Sequence, residues 1–400
     1  MDPYLAEWLN LLVRWLHVVA AIAWIGSSFY FIALDYSLQP PKDPRDAERG
    51  VGGESWEIHG GGFYRVEKFR VAPATLPERL TWFKWEAYTT WLSGFALLVV
   101  LYYLDPGAYL IDRSVADLDP LQAVAISIAI LGLGWLVYDS LSRLLEDHDR
   151  ALAAILAIVV VLVAYGASLL FGARAVYIQV GAMIGTWMAA NVFFVIIPGH
   201  RDLVRAKQAG TAPDPKPAMR GKQRSVHNNY LTLPAIFAML SIHFPMTYGH
   251  EFGWLILVVI MGISAWVRHF FNLRHQGRTV WAIPVSAAVA TVLLAVAIAP
   301  PTAGTPGAPV DGQDASFETA QRIIQQRCVP CHSSDPTWPG FTAPPLGVTF
   351  DTPEQIQAQA ARIRQMAVVT GLMPLGNVTE MTQDERDALE AWIRAGAPLD

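Results

Sequence analysis

Charge is what this sequence has least of. Only 16% of its 400 residues are Asp, Glu, Lys or Arg, against 53% hydrophobic residues, which is too apolar for an ordinary water-soluble chain of this length. The expected solvent is a lipid bilayer. The formal net charge is -5 and the basic residues are interrupted by acids, so no basic stripe marks a nucleic-acid surface and that partner is excluded. Cysteine is nearly absent too. The only two, Cys328 and Cys331, fall in one pentapeptide, which leaves none for a structural disulfide elsewhere. No basic stretch precedes the first apolar segment after Met1-Asp2-Pro3-Tyr4, and no small-residue cleavage site follows it, so that segment is expected to be retained. No Gly-x-Gly-x-x-Gly follows a strand pattern to suggest a flavin or nicotinamide, and no internal repeat occurs.

What is there instead is a series of long apolar runs, near 9–33, 85–104, 121–141, 151–172, 176–197, 230–247, 252–272 and 279–300. Each approaches the roughly 20 helical residues that cross a hydrocarbon core of ~30 Å. They predict eight transmembrane helices, because in lipid only helices or closed barrels satisfy the backbone. The separations at 172–176 and 247–252 force antiparallel helical hairpins. Lys and Arg crowd alternate connections: Lys42 to Lys84 between the first two runs, Arg201 to Arg224 between the fifth and sixth, and Arg143, Arg150, Arg268, Arg274 and Arg278 on the same side. Arg113 and Arg174 stand nearly alone on the other. Cytoplasmic loops collect such residues, so both termini are expected outside, on the periplasmic side of a bacterial cytoplasmic (inner) membrane. The fold class is all-α: a polytopic bundle over 1–300.

After residue 300 the composition shifts to Pro301-Thr302-Ala303-Gly304-Thr305-Pro306-Gly307-Ala308-Pro309, a semi-rigid Pro/Gly linker assigned to 301–316. Residues 317–400 then form a second domain with helical apolar spacing at Phe317, Ile323 and Ile324, and at Ile356, Ile363 and Met366. A final helix carries Leu389, Trp392 and Ile393. Thr382-Gln383-Asp384-Glu385 opens that helix as a capping box.

Inside this domain lies Cys328-Val329-Pro330-Cys331-His332. Cys-x-x-Cys-His is a c-type haem attachment sequence: the thiols add to two vinyl groups and the adjacent histidine binds the iron. A zinc half-site is the competing reading, but no second Cys/His pair completes a tetrahedron. One covalent haem c is therefore expected, on the external side where such attachment belongs. For the sixth ligand, Met373 in Gly371-Leu372-Met373-Pro374-Leu375-Gly376-Asn377 resembles the ligand loop of small class I cytochromes c. Met366 and Met381 are the alternatives. Methionine opposite histidine raises the haem potential, so the domain reads as an electron outlet.

Ionisable residues within spans are costly and usually functional. Arg14 and His17 sit one turn apart in the outer half of the first span, and His243 rises to a similar depth on the sixth at ~1.5 Å per residue. They offer an embedded b-type haem on His17 and His243, or a substrate pocket with Arg14 as anion clamp. The bland reading is helix–helix hydrogen bonding. The pattern His17…Trp24-x-Gly26-x-x-Phe29-Tyr30 is similar to the first span of membrane protoporphyrinogen oxidases and copper-resistance proteins. A second polar group gathers at the cytoplasmic face: His59 before Gly60-Gly61-Gly62 in an amphipathic interfacial segment, and His227-Asn228-Asn229-Tyr230, with Glu86, Asp139, Asn191, His200 and His269. Together these suggest an anion-binding mouth.

Trp15-Leu16-His17 through Trp24-Ile25-Gly26, the Trp56-to-Lys68 loop, His227-Asn228-Asn229-Tyr230-Leu231-Thr232-Leu233-Pro234 and the terminal Cys-x-x-Cys-His domain together resemble the membrane-bound, cytochrome c-fused urate oxidase (urate hydroxylase) family over essentially the whole chain. The resemblance implies oxidation of urate to 5-hydroxyisourate, with electrons leaving through haem c to a downstream cytochrome c or terminal oxidase. It makes Arg14, His17, His59, His227, Asn228 and His243 the candidates for the chemistry, and Cys328, Cys331, His332 and Met373 those for haem c. Other readings are a different haem-dependent membrane dehydrogenase, a porphyrinogen oxidase, or a metal or transport protein with a cytochrome sensor.

Overall fold

The computed structural model describes residues 3–299, 316–338, 341 and 343–399. The linker expected at 301–316 lies, apart from Ser316, outside the described residues. The molecule is mostly helical. Helices cover the apolar runs and, at α6 and the first half of α7, the polar connection between two of them: α1 Pro3–Ser37, α2 Trp85–Leu98, α3 Pro120–Leu144, α4 Asp149–Ser168, α5 Ala173–Ala190, α6 Ile197–Gln208, α7 Lys216–Leu240, α8 Gly253–His275 and α9 Ala282–Ala297. Five stretches are long and apolar enough to cross a membrane by length and composition: Trp8–Ser37, Pro120–Leu144, Asp149–Ser168, Ala173–Gln208 and Gly253–His275. α9 is a shorter apolar helix.

Boundaries differ from the sequence reading for identifiable reasons. The run expected at 176–197 continues to Gln208, because a π-helical segment, Asn191–Ile196, joins α5 to α6 without a break. The run expected at 230–247 ends sooner. α7 stops at Leu240, a 3-10 turn covers Ser241–His243, and Pro245, which disfavours helical geometry in the residue before it, opens a separate turn at Pro245–Tyr248.

The all-α expectation needs one correction. Val51–His59 (β1) and Gly62–Phe69 (β2) form an antiparallel hairpin, with His59 opposite Gly62 and Val51 opposite Phe69. Gly60 and Gly61 turn it with φ of 57° and 81°, the left-handed backbone that two-residue hairpin turns require. Arg65 of β2 pairs across the hairpin with the buried carboxylate of Glu54 on β1 at 2.6 Å, and fastens the hairpin to the buried Asp46 outside it. The sequence reads this stretch as an amphipathic interfacial segment, and the pairing of its two halves is made by contacts across the Gly60-Gly61 turn.

α5 is the centre of the bundle. Val180, Met183 and Trp187 are wholly buried. Small residues let neighbours approach: a Cβ on Gly134 would lie 2.8 Å from Met183 Cγ, and one on Gly181 would lie 2.6 Å from Ala238 Cβ. Such small-residue contacts are what van der Waals packing between apolar helices needs.

A second hydrophobic core contains Ile323, Ile324, Phe350, Ile356, Leu389 and Trp392. It is built where α10 (Phe317–Arg327) meets α11 (Gln383–Arg394). Ser316 and Thr382 cap these helices by accepting from Thr319 N and Glu385 N. The C-terminal unit rests on the bundle rim: Leu372 packs against the bundle core, and there is no room for a Cβ on Gly249, which would lie 2.7 Å from Leu372 Cδ1.

Candidate functional site

A cavity of about 300 Å³ opens between α1, α2, α5 and α7; Arg14, His17, Trp91, Arg174, Thr186 and His243 are among its lining residues. His17 is fixed by its neighbours. Its Nδ1 lies 2.9 Å from the Thr90 carbonyl and 3.2 Å from Ser93 Oγ. A carbonyl can only accept, so Nδ1 carries the proton and the Nε2 lone pair is left free as a base or ligand. Gly94 makes room for the ring, since a Cβ there would sit 2.9 Å from His17 Cε1.

Two guanidinium groups reach the same cavity. Arg14 donates to Asn10 Oδ1 at 3.0 Å. Arg174 lies over the Tyr109 ring, 4.5 Å from its centroid, and its Nε is buried without a partner. Among the described residues neither arginine pairs with a carboxylate. Arg174 also stands at the start of α5, where a cation opposes the helix dipole; its place is not explained by helix stability. In the sequence it is one of two cations on its side of the alternate connections. The informative signal was its solitude on a side otherwise poor in cations. Trp91 completes the wall, with Nε1 donating to Thr186 Oγ1 at 3.1 Å.

Arg14, His17 and His243 thus line one cavity, although His243 is exposed at the rim rather than enclosed. The remaining candidates are elsewhere. His227 and Asn228 belong to a closed polar hub around Tyr138. The Tyr138 hydroxyl lies 2.8 Å from His227 Nδ1 and accepts from Asn191 Nδ2 at 2.8 Å, and that amide also donates to Asn228 Oδ1 at 2.9 Å. Arg224 joins through Asn191 and is neutralised by Asp139 at 2.8 Å. The π-helical turn beginning at Asn191 places its amide between α3 and α7. His59 is exposed at the hairpin end and meets neither group.

In the C-terminal unit Cys328 and Cys331 are both free thiols, and burial pushes the Cys328 thiol up to about 12. His332 Nδ1 donates to the Val348 carbonyl at 3.1 Å, orienting the ring and leaving Nε2 for a metal, as outer-shell partners of ligating histidines do. Burial also lowers the His332 pKa, opposed by that backbone hydrogen bond, so the imidazole stays neutral. The three side chains therefore suit a covalently held haem. Of the methionines, Met381 is buried in the core, while Met373 is only partly buried at its edge. The loop of Met373 is clamped by Arg386, which donates to the Met373 carbonyl at 2.7 Å and to that of Ala367.

A family model described as urate oxidase N-terminal matches residues 3–299. No curated protein and no solved structure matches.

Proposed function

The chain belongs to the urate oxidase N-terminal family through its residues 3–299, and on that premise we propose that it oxidises urate to 5-hydroxyisourate in the cavity of Arg14, His17, Arg174 and His243. The observation that carries the assignment is the convergence of two arginines without carboxylate partners on one small cavity, at the end of the bundle where the C-terminal unit docks. A planar purine anion supplies the missing negative charge, and a volume of about 300 Å³ lies at the lower end of small-molecule sites.

The chain's own residues divide the work. Arg14 and Arg174 hold the anion through its carbonyl oxygens. The apolar walls exclude bulk water and strengthen those contacts. His17 Nε2 accepts a proton as a water oxygen bonds to C5 of the purine; two electrons leave the ring and the remaining proton passes to solvent through the mouth at His243. Cys328, Cys331, His332 and Met373 would hold haem c, which would supply one-electron acceptance for the electrons leaving the ring. A downstream cytochrome c or terminal oxidase then receives them.

The same reading puts eight spans in the bacterial inner membrane, with α2 and its π-helical extension, α7 and α9 crossing beside the five apolar stretches, and both the N-terminus and the C-terminal unit in the periplasm. The sequence also suggested a b-type haem between His17 and His243. Nε2 of His17 is free for such a ligand, but the cavity is small for a macrocycle and His243 lies at its rim, so a purine is the better occupant.

Anaerobic addition of urate to the purified protein is the test. Reduction of haem c by urate, lost in Arg174→Gln with haem content unchanged, is the expected result; a haem that urate leaves oxidised in the wild type overturns the assignment.

A further inference from the structure

Buried polar groups without partners are uncommon in folded proteins, and the described residues of this bundle concentrate them. Arg268 on α8 is 4% exposed. Its Nε donates to Asn229 Oδ1 of α7 at 2.9 Å, and its guanidinium lies over the Phe29 ring of α1, 3.9 Å from the centroid. Its Nη2 has no partner, nor has Asn229 Nδ2. Asn272, one helical turn after Arg268 on the same face, is 1% exposed and has neither Nδ2 nor Oδ1 satisfied. Among the described residues no carboxylate pairs with Arg268. The contrast lies within the molecule: Arg224, equally buried, is matched by Asp139 and Asn191.

We infer that Arg268, Asn229 and Asn272 form a second ligand site, which takes a planar heterocyclic anion bearing carbonyl oxygens and at least one ring N–H. Three unpartnered N–H donors and one unneutralised cation call for an anion with several acceptors. A water molecule could accept some of these bonds but would leave the charge. The unpartnered Asn272 oxygen requires a donor on the ligand, which halides and fully deprotonated oxyanions lack, and the planar guanidinium, held over the Phe29 ring, presents its N–H edge to acceptors lying in one plane. Arg268 lies fifteen residues into α8, or about 22 Å from its start at ~1.5 Å per residue. The site is therefore at the end of the bundle away from the C-terminal unit, far from the cavity of His17. Its role is binding rather than electron transfer. Urate belongs to this ligand class, and that choice of probe rests on the function proposed above.

The test counts sites by equilibrium dialysis of the full-length holoprotein against radiolabelled urate, with the haem held reduced so that no turnover occurs. Two equivalents per chain are expected in the wild type, with one lost in Arg268→Gln and in Asn272→Leu, and the other lost in Arg174→Gln. Asn272→Leu is the decisive variant. An amide with no internal partner can be replaced by an apolar group of similar size, so thermal stability should hold or rise while the site is lost. A single equivalent that survives Arg174→Gln and disappears in Arg268→Gln supports the second site and sinks the first. A single equivalent that behaves in the opposite way overturns the second site and leaves the first standing. Complete displacement of the label lost in Arg268→Gln by equimolar hydrogencarbonate overturns the heterocyclic ligand.

Discussion

A single glycine governs the geometry of the proposed base. Because a Cβ on Gly94 would sit 2.9 Å from His17 Cε1, Gly94→Ala must push the ring from its hydrogen bond to Thr90. A displacement near 1 Å at a reacting group costs on the order of 100-fold in rate. Stopped-flow reduction of haem c by urate should slow by roughly that factor in Gly94→Ala, with haem content unchanged; an unaltered rate would remove His17 from the chemistry. Met373→Ala should keep the covalent haem but lower its potential, since only the axial thioether goes; a redox titration matching wild type would return the assignment to Met366 or Met381. Tyr138→Phe is expected to act on stability instead. It leaves His227 Nδ1 without its partner and removes one acceptor of Asn191, at about 1–3 kcal/mol for a buried polar group left unsatisfied. Thermal unfolding reads that cost directly. The Cys328-to-His332 run was legible because it is contiguous. The place of Arg174 was not, since it shares a cavity with Arg14 only through the packing of α5 against α2 and of α2 against α1.

At the level of elements, the helices follow from composition and their ends from local chemistry. Thr382 and Glu385 satisfy each other's backbone donors at 3.3 and 2.8 Å, as the spacing implied. Thr382→Ala should destabilise the C-terminal unit by about 1 kcal/mol, measurable by denaturant titration of the haem absorption band. The irregular elements were the illegible ones. Nothing local marks the π-helical turn at Asn191–Ile196; it arises because the Asn191 amide is drawn into the hub between Tyr138 and Asn228. The hairpin at Val51–Phe69 escaped for a related reason. Arg65 ties its two strands together through Glu54 and anchors them to Asp46 outside the hairpin, contacts that no run of adjacent residues announces.

At the scale of the molecule, the C-terminal unit touches the bundle with the loop that carries Met373. Leu372 and Thr370 abut Gly249, and Gly376 lies beside the Gly107 carbonyl, a Cβ there falling 3.2 Å from it. On the function proposed above, this docking sets the Met373 loop against the end of the bundle that holds the cavity. Gly249→Val would place side-chain atoms into Leu372 and Thr370 without altering the haem ligands. Slower reduction of haem c by urate with an unchanged haem spectrum is the expected outcome, and an unchanged rate would show that this contact carries no electrons.

The amino-acid sequence alone determined the apolar helices, the contiguous run from Cys328 to His332 and the Thr382 cap, because each depends on spacing within one segment. Only the tertiary structure decided that Arg174 joins that cavity, that His227 and Asn228 are consumed in the Tyr138 hub, that His59 stands apart on a hairpin, and that Arg268 is left without a counter-charge. Those outcomes depend on which faces of α1, α5, α7 and α8 pack together. Between apolar helices that choice rests on small residues such as Gly94, Gly134 and Gly181 meeting larger partners, and pairings of that kind are not ordered along the chain.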